Sequence, residues 1–181
     1  MTDVLKTGDD TLIEVLSRDK VAERVEQLKE EIRSALNGEP MVAVCVLKGA
    51  FMFFTDLVKD LGLPLEIEFV RLASYGSGTS PGDELVFSKD LETTIKGKNV
   101  LIVEDIVDTG RSMDFLVRTF GARSPKSVRL AALVDKVERR EIELEVDFAG
   151  FRLKKGFLVG CGMDYAEKYR ELGGIYELEQ G

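Results

Sequence analysis

Met41 to Leu47 reads Met-Val-Ala-Val-Cys-Val-Leu, seven residues without a polar side chain. A strand with one wet face alternates apolar and polar residues, so an unbroken apolar run of this length predicts a strand covered on both faces, as in a parallel sheet. Val100 to Val103 repeats the signal, and Ser127 to Val134 supplies a third strand ending at Asp135-Lys136. Parallel strands need long crossovers, and helical patterns supply them. Val21, Val25, Leu28, Ile32 and Leu36 recur at helical spacing, with Ser17 to cap the start and Asn37-Gly38 to stop it. Ala50 to Leu61 reads as a second helix, and after a polar turn from Glu104 to Ser112 a third runs through Phe120 and closes at Gly121.

Leu65 to Leu72 alternates after Pro64 and adds a strand, whereas residues 74–83, Ser-Tyr-Gly-Ser-Gly-Thr-Ser-Pro-Gly-Asp, predict a mobile loop of the kind used as a lid. Extended segments are expected at Val146 to Phe151, Phe157 to Met163 and Ile175 to Leu178. The pattern is that of an α/β fold with a mostly parallel central sheet flanked by helices. Ligands in such folds bind beyond the carboxyl ends of the strands, where the polar turns fall.

The 181 residues suit one domain. A net charge of -8 leaves no basic footprint for nucleic acid, and no apolar stretch approaches the roughly 20 residues of a membrane span. The start, Met1-Thr2-Asp3-Val4, has no signal-peptide pattern, and Cys45 and Cys161 lack paired spacing, so a cytoplasmic protein with reduced thiols is expected. The chain contains no histidine. Ser-His and Cys-His machinery and imidazole-bound zinc are thereby excluded, and chemistry must run on carboxylates, lysine, arginine, backbone amides and a hard metal ion.

The densest cluster of such groups is Val100-Leu-Ile-Val-Glu104-Asp105-Ile-Val-Asp108-Thr109-Gly110-Arg111-Ser112. A buried strand delivers two adjacent carboxylates, and the turn that follows suits a phosphate. Gly110 permits a tight turn, the amides of residues 109–112 can converge, Thr109 and Ser112 add hydroxyls, and the helix start contributes its positive end. Glu104 and Asp105 would repel a phosphate at contact, so they fit better a few ångströms away, holding sugar hydroxyls directly or through magnesium. Singly, each feature is also an ordinary cap or strand end. Asp-Thr-Gly is also the tripeptide of aspartic proteases, but it occurs once, in a strand-turn-helix context, and those enzymes need two copies.

Val103 to Ser112 resembles the phosphoribosyl pyrophosphate motif of type I phosphoribosyltransferases. The likeness extends to the hypoxanthine-guanine branch through Val46-Leu47-Lys48-Gly49-Ala50, Ser74-Tyr75, Val134-Asp135-Lys136, Val146 to Phe151, Phe157 to Tyr165, and Tyr169-Arg170. It implies a central sheet with a small base-binding hood formed by about residues 1–16 and 146–181, and a homodimer or homotetramer. It implies that phosphoribosyl pyrophosphate is held by Lys48, Gly49, Glu104, Asp105, Asp108, Thr109, Gly110, Arg111, Ser112 and Arg170, with a cis peptide in the Lys48-Gly49 turn. A 6-oxopurine base would meet Lys136 at its exocyclic oxygen, stack on Phe157, and be read at its edge by Leu158, with Asp164 close by. Asp108 becomes the candidate catalytic acid or base, Ser74 and Tyr75 the lid, and Glu104, Asp105 and Asp164 the carboxylates for Mg2+. Taken alone, Lys48 and Lys136 also read as solvated strand-end lysines, and Phe157 as core. Regulators that bind the same sugar phosphate share the fold, yet no helix-turn-helix extension or basic face is present here. Enzymes acting on adenine or a pyrimidine are the other alternative, against which Lys136 and the 157–164 segment argue.

Overall fold

The structure is a computed structural model that describes residues 4–7, 10–75, 84–154 and 156–179. In chain order the elements are β1 (Val4–Thr7), β2 (Asp10–Leu16), α1 (Arg18–Leu36), β3 (Met41–Leu47), α2 (Phe51–Val58), β4 (Leu65–Tyr75) and β5 (Glu84–Lys89). They continue with β6 (Asn99–Val107), α3 (Arg111–Gly121), β7 (Ser127–Asp135), a 3-10 turn (Val137–Arg139), β8 (Phe148–Arg152), β9 (Leu158–Val159) and β10 (Ile175–Glu179).

Six strands form one sheet in the order β5-β4-β3-β6-β7-β8, all parallel except β5, which folds back along β4. The unbroken apolar runs have the predicted cause. Met41, Ala43 and Cys45 of β3 face the layer that holds Val21, Leu28 and Ile32 of α1 and Phe53 and Leu57 of α2, while Val42, Val44 and Val46 face Met113, Leu116 and Phe120 of α3. Burying a side chain of this size is worth about 1.5–3 kcal/mol, so a polar residue at any of these positions would oppose assembly of the sheet. At the start of α1 the Ser17 hydroxyl accepts from the Lys20 amide, and Asn37 closes the helix in the left-handed conformation.

A second, antiparallel sheet, β1-β2-β10-β9, draws its strands from both ends of the chain. Leu12, Val159, Tyr169 and Leu178 form its own small core.

Three expectations are corrected. Phe148–Arg152, assigned to the hood, pairs with β7 in the central sheet, because its parallel register to Ala131–Asp135 satisfies the edge of that strand. The polar turn expected from Glu104 to Ser112 is shorter, since β6 runs to Val107 and stays paired with β7 up to Val107 opposite Asp135. Ser74 and Tyr75, expected at the start of a loop, are the last residues of β4, held opposite Leu85 and Glu84 of β5. The rest of that loop, residues 76–83, lies outside the described residues. The short strands β1, β2 and β5 gave no signal that periodicity could separate from loop.

Candidate active site

All the turns of interest leave the carboxyl edge of the central sheet. After β6, the chain turns at Asp108-Thr109-Gly110 and enters α3. Gly110 takes a φ of 88°, which favours glycine, and as the residue capping α3 it offers no side chain to the first helical amides. Apart from that of Arg111, which donates to the Thr109 hydroxyl at 3.4 Å, those amides can meet an anion. They open on a hollow of about 190 Å3 bounded by Glu104, Ile106, Val107, Asp108, Thr109, Gly110, Ser112 and Met113, the size and chemistry of a phosphate site.

Neighbouring strand residues point to opposite sides, so the two acidic residues border different hollows although their carboxyl groups stay close enough to interact. Glu104 borders the phosphate hollow, whereas Asp105 borders a larger cleft on the other side. Glu104 is thus nearer the phosphate hollow than the repulsion argument expected. Burial, followed by the carboxylate of Asp105 beside it, pushes the Glu104 carboxyl well above the ordinary carboxylate range, so its charge is easily given up. Neither residue forms an ion pair among the described residues, and their only backbone partners are the amides of Asp105 and Ile106.

The larger cleft holds about 570 Å3 and is walled by Asp105, Asp108, Lys136, Arg139, Phe157, Leu158 and Asp164 among others. Every residue assigned to the base lies in this wall. Lys136 follows β7 and is only 4% exposed, with its Nζ donating to the Gly156 carbonyl at 2.7 Å. Burial pushes its pKa below the ordinary lysine range, so this is no solvated strand-end lysine. Phe157 is 46% exposed and presents its ring to the cleft, braced edge-on by Tyr165 at a centroid distance of 5.5 Å. It is not core. Leu158 is buried in β9.

Lys48 and Gly49 leave β3 between the two sheets. The cis bond is Leu47–Lys48, one residue ahead of the expected Lys48-Gly49 bond. A Cβ on Gly49 would overlap the Asp105 carboxylate, and one on Gly162 would overlap the Gly49 carbonyl, so the turn is wedged between β6 and the hood. Lys48 Nζ reaches Glu167 at 3.0 Å, and Arg170 pairs with Asp164 at 2.7 Å and with the same Glu167 oxygen at 3.5 Å.

Two assignments are not gathered as expected. Arg111 turns away to Glu141, at 2.7 Å, leaving only its amide in the loop, where it donates to the Thr109 hydroxyl. Glu104, Asp105 and Asp164 do not form a three-carboxylate cluster, and no set of three or more acidic or cysteine side chains is placed to hold a metal among the described residues. Arg170 and the Glu167 amide hold Asp164 on the hood side. Glu104 and Asp105, which have no cationic partner among the described residues, nevertheless fit a hard cation that takes its remaining oxygens from a substrate. Sequence reading missed Arg139, whose guanidinium lies 3.0 Å from Asp108, and Glu167. The basic pair Arg139-Arg140, three and four residues after Lys136, was the available signal for the first, and spacing three before Arg170 for the second.

The hollow at the start of α3, the acidic end of β6 and the larger cleft lie side by side at the carboxyl edge of the central sheet. Residues 12–166 match the phosphoribosyl transferase domain family, and the chain belongs to that family. Hypoxanthine phosphoribosyltransferase of Salmonella typhimurium is 42% identical over 153 residues, covering 84% of this chain and 85% of that protein. Hypoxanthine-guanine phosphoribosyltransferase of Bacillus subtilis is 38% identical over 158 residues, or 87% and 88% of the two chains. A crystal structure of the hypoxanthine-guanine enzyme of Bacillus anthracis superimposes with a TM-score of 0.87 at 35% identity, over 97% of this chain and 99% of that one. The chain is also 41% identical over 158 residues to the bifunctional TilS/HprT protein of Listeria monocytogenes, of which it spans 24%.

Proposed function

We propose that the protein transfers the 5-phosphoribosyl group of phosphoribosyl pyrophosphate to N9 of a 6-oxopurine, hypoxanthine, guanine or xanthine, giving the nucleoside monophosphate and pyrophosphate. One observation carries the reading: the buried ammonium of Lys136 and the exposed ring of Phe157 share a cleft with Asp108, directly beside the phosphate hollow. A flat base stacked on Phe157 offers its oxygen to Lys136, and neighbouring backbone at Leu158 reads its edge. Asp108 then lies where N7 would be, as the group that exchanges a proton with the base.

The amides of residues 109–112 and the Ser112 and Thr109 hydroxyls hold the 5-phosphate, and Glu104 and Asp105 orient the ribose hydroxyls. Lys48 and Arg170 offset charge on the departing pyrophosphate. Glu104, Asp105 and Asp164 are the carboxylates that would serve magnesium, which when bound neutralises pyrophosphate oxygens. Ser74 and Tyr75, at the end of β4, are the lid residues that would help keep water from the activated sugar.

The same reading includes a homodimer or homotetramer in the cytoplasm, with no nucleic-acid or membrane partner. No helix of the described residues is long and apolar enough to cross a membrane. Steady-state assays with each base, phosphoribosyl pyrophosphate and magnesium test the proposal. Turnover of hypoxanthine or guanine that stops in excess chelator is expected. Absence of turnover with every 6-oxopurine would overturn it.

A further inference from the structure

Lys48 and Arg170 come from elements far apart in the chain, yet one carboxylate oxygen joins them. Glu167 Oε2 lies 3.0 Å from Lys48 Nζ and 3.5 Å from Arg170 Nη2. Arg170 is otherwise held by the Gly162 carbonyl at 2.8 Å and by Asp164 at 2.7 Å, and its side chain is 19% exposed. Its position therefore does not depend on Glu167. Lys48 is different. Its backbone is wedged by the Gly49 and Gly162 contacts, but its side chain is 49% exposed and has Glu167 as its partner among the described residues. The ammonium is free to exchange one anion for another without moving the turn.

The turn that carries Glu167 is also built. Ala166, Glu167 and Tyr169 all adopt positive φ, of 51°, 63° and 74°, and the Glu167 amide donates to Asp164 at 2.9 Å. A residue spending backbone strain in this way has its side chain aimed by the turn rather than by solvent.

We propose that Glu167 is an internal stand-in for the pyrophosphate group, occupying the cations Lys48 and Arg170 in the free protein, and that pyrophosphate must displace it to bind. This rests on the transferase reading, which assigns those two cations to pyrophosphate. Two cations and two carboxylates, Asp164 and Glu167, are balanced in the free site. Pyrophosphate brings a more concentrated negative charge and takes over Lys48, and Glu167 returns as the product departs. Glu167 thereby lowers affinity for substrate and product alike and keeps the leaving group from being retained.

The test is Glu167→Gln and Glu167→Ala, with Glu145→Gln as a control that removes an exposed charge away from this network. Calorimetric titration with magnesium pyrophosphate, product inhibition by pyrophosphate, and KM for phosphoribosyl pyrophosphate are compared in all four proteins. Both Glu167 variants are expected to bind pyrophosphate roughly two- to fivefold more tightly and to show a lower KM with no gain in kcat, the scale of an exposed ion pair. The difference from the parent should shrink as salt is raised. Unchanged or weaker pyrophosphate binding in both variants, at unchanged melting temperature, overturns the role of Glu167. If the parent itself binds neither pyrophosphate nor phosphoribosyl pyrophosphate with magnesium, the transferase reading fails and the stand-in role falls with it.

Discussion

Arg139 holds Asp108 by one oxygen only. Its Nη1 lies 3.0 Å from Oδ2, while Oδ1 is buried and has no hydrogen-bond partner. A buried carboxylate oxygen without a donor costs free energy, and a substrate proton in the adjoining cleft would satisfy it. Asp108→Asn keeps the shape of the side chain but removes its proton-accepting power. It is expected to bind phosphoribosyl pyrophosphate normally and to lose roughly 10²- to 10⁴-fold in kcat. Arg139→Gln, which breaks the same ion pair but keeps the carboxylate, should lose less than about tenfold, the scale of a partly exposed pair. Equal losses in the two variants would show that the ion pair, and not Oδ1, carries the effect.

Lys136 predicts base choice. An ammonium has only donors to offer, and Lys136 uses one on the Gly156 carbonyl, so a 6-oxo group accepts from another whereas a 6-amino group accepts from none and turns its own hydrogens toward the charge. Sites built on such a match reject the wrong partner by roughly 10⁴-fold. Adenine should be a very poor substrate, and Lys136→Gln should narrow the gap mainly by weakening the 6-oxopurines. The measurement is kcat/KM for hypoxanthine, guanine and adenine in both proteins. Comparable parent values for adenine and hypoxanthine would remove Lys136 from recognition.

Gly162 predicts a stability effect with a functional echo. It sits at a φ of 97°, and a methyl there would overlap the backbone carbonyl of Gly49. Neither backbone can give way without moving the Lys48 turn, so Gly162→Ala should cost about 2–4 kcal/mol. Thermal unfolding should show a midpoint lower by roughly 5–15 °C. KM for phosphoribosyl pyrophosphate should rise with it, and a midpoint within about 2 °C of the parent would show that the two segments are not tightly wedged.

The two thiols predict a pH response. Burial pushes Cys45 and Cys161 from 9.0 up to about 12, with Glu104 and Asp105 adding to the effect at Cys45. A raised folded pKa means the native state holds its protons longer than the unfolded chain, so this contribution is complete below pH 9 and is lost between 9 and 12. Native protein at pH 8 should leave both thiols unreacted with a disulfide reagent, and denatured protein should react at two. Rapid reaction of either thiol in the native state contradicts the burial.

Much of the sheet was legible because its signals are local. An apolar run with no polar side needs cover on both faces wherever it sits, and Asp-Thr-Gly-Arg-Ser after such a run carries its own turn, hydroxyls and helix start within five residues. The 3.6-residue spacing of Val21 to Leu36 selected one face of α1 before any partner was known. What only the tertiary structure decided involves residues that chain order keeps apart. The hood joins residues 10–16 to 175–179, a pairing of strands from far apart in the chain that no local pattern specifies. Phe148–Arg152 looked like part of the tail and became an edge of the central sheet, because an open β7 edge was the better place for its backbone hydrogen bonds. The division of Glu104 from Asp105 between two hollows follows from strand pleating, but which hollow each one enters depends on the helix and hood packed on either side. Lys48 and Glu167 are 119 residues apart, and nothing in either local sequence specifies the other. Their meeting is set by Gly49 and Gly162, whose missing side chains let the sheet and the hood touch.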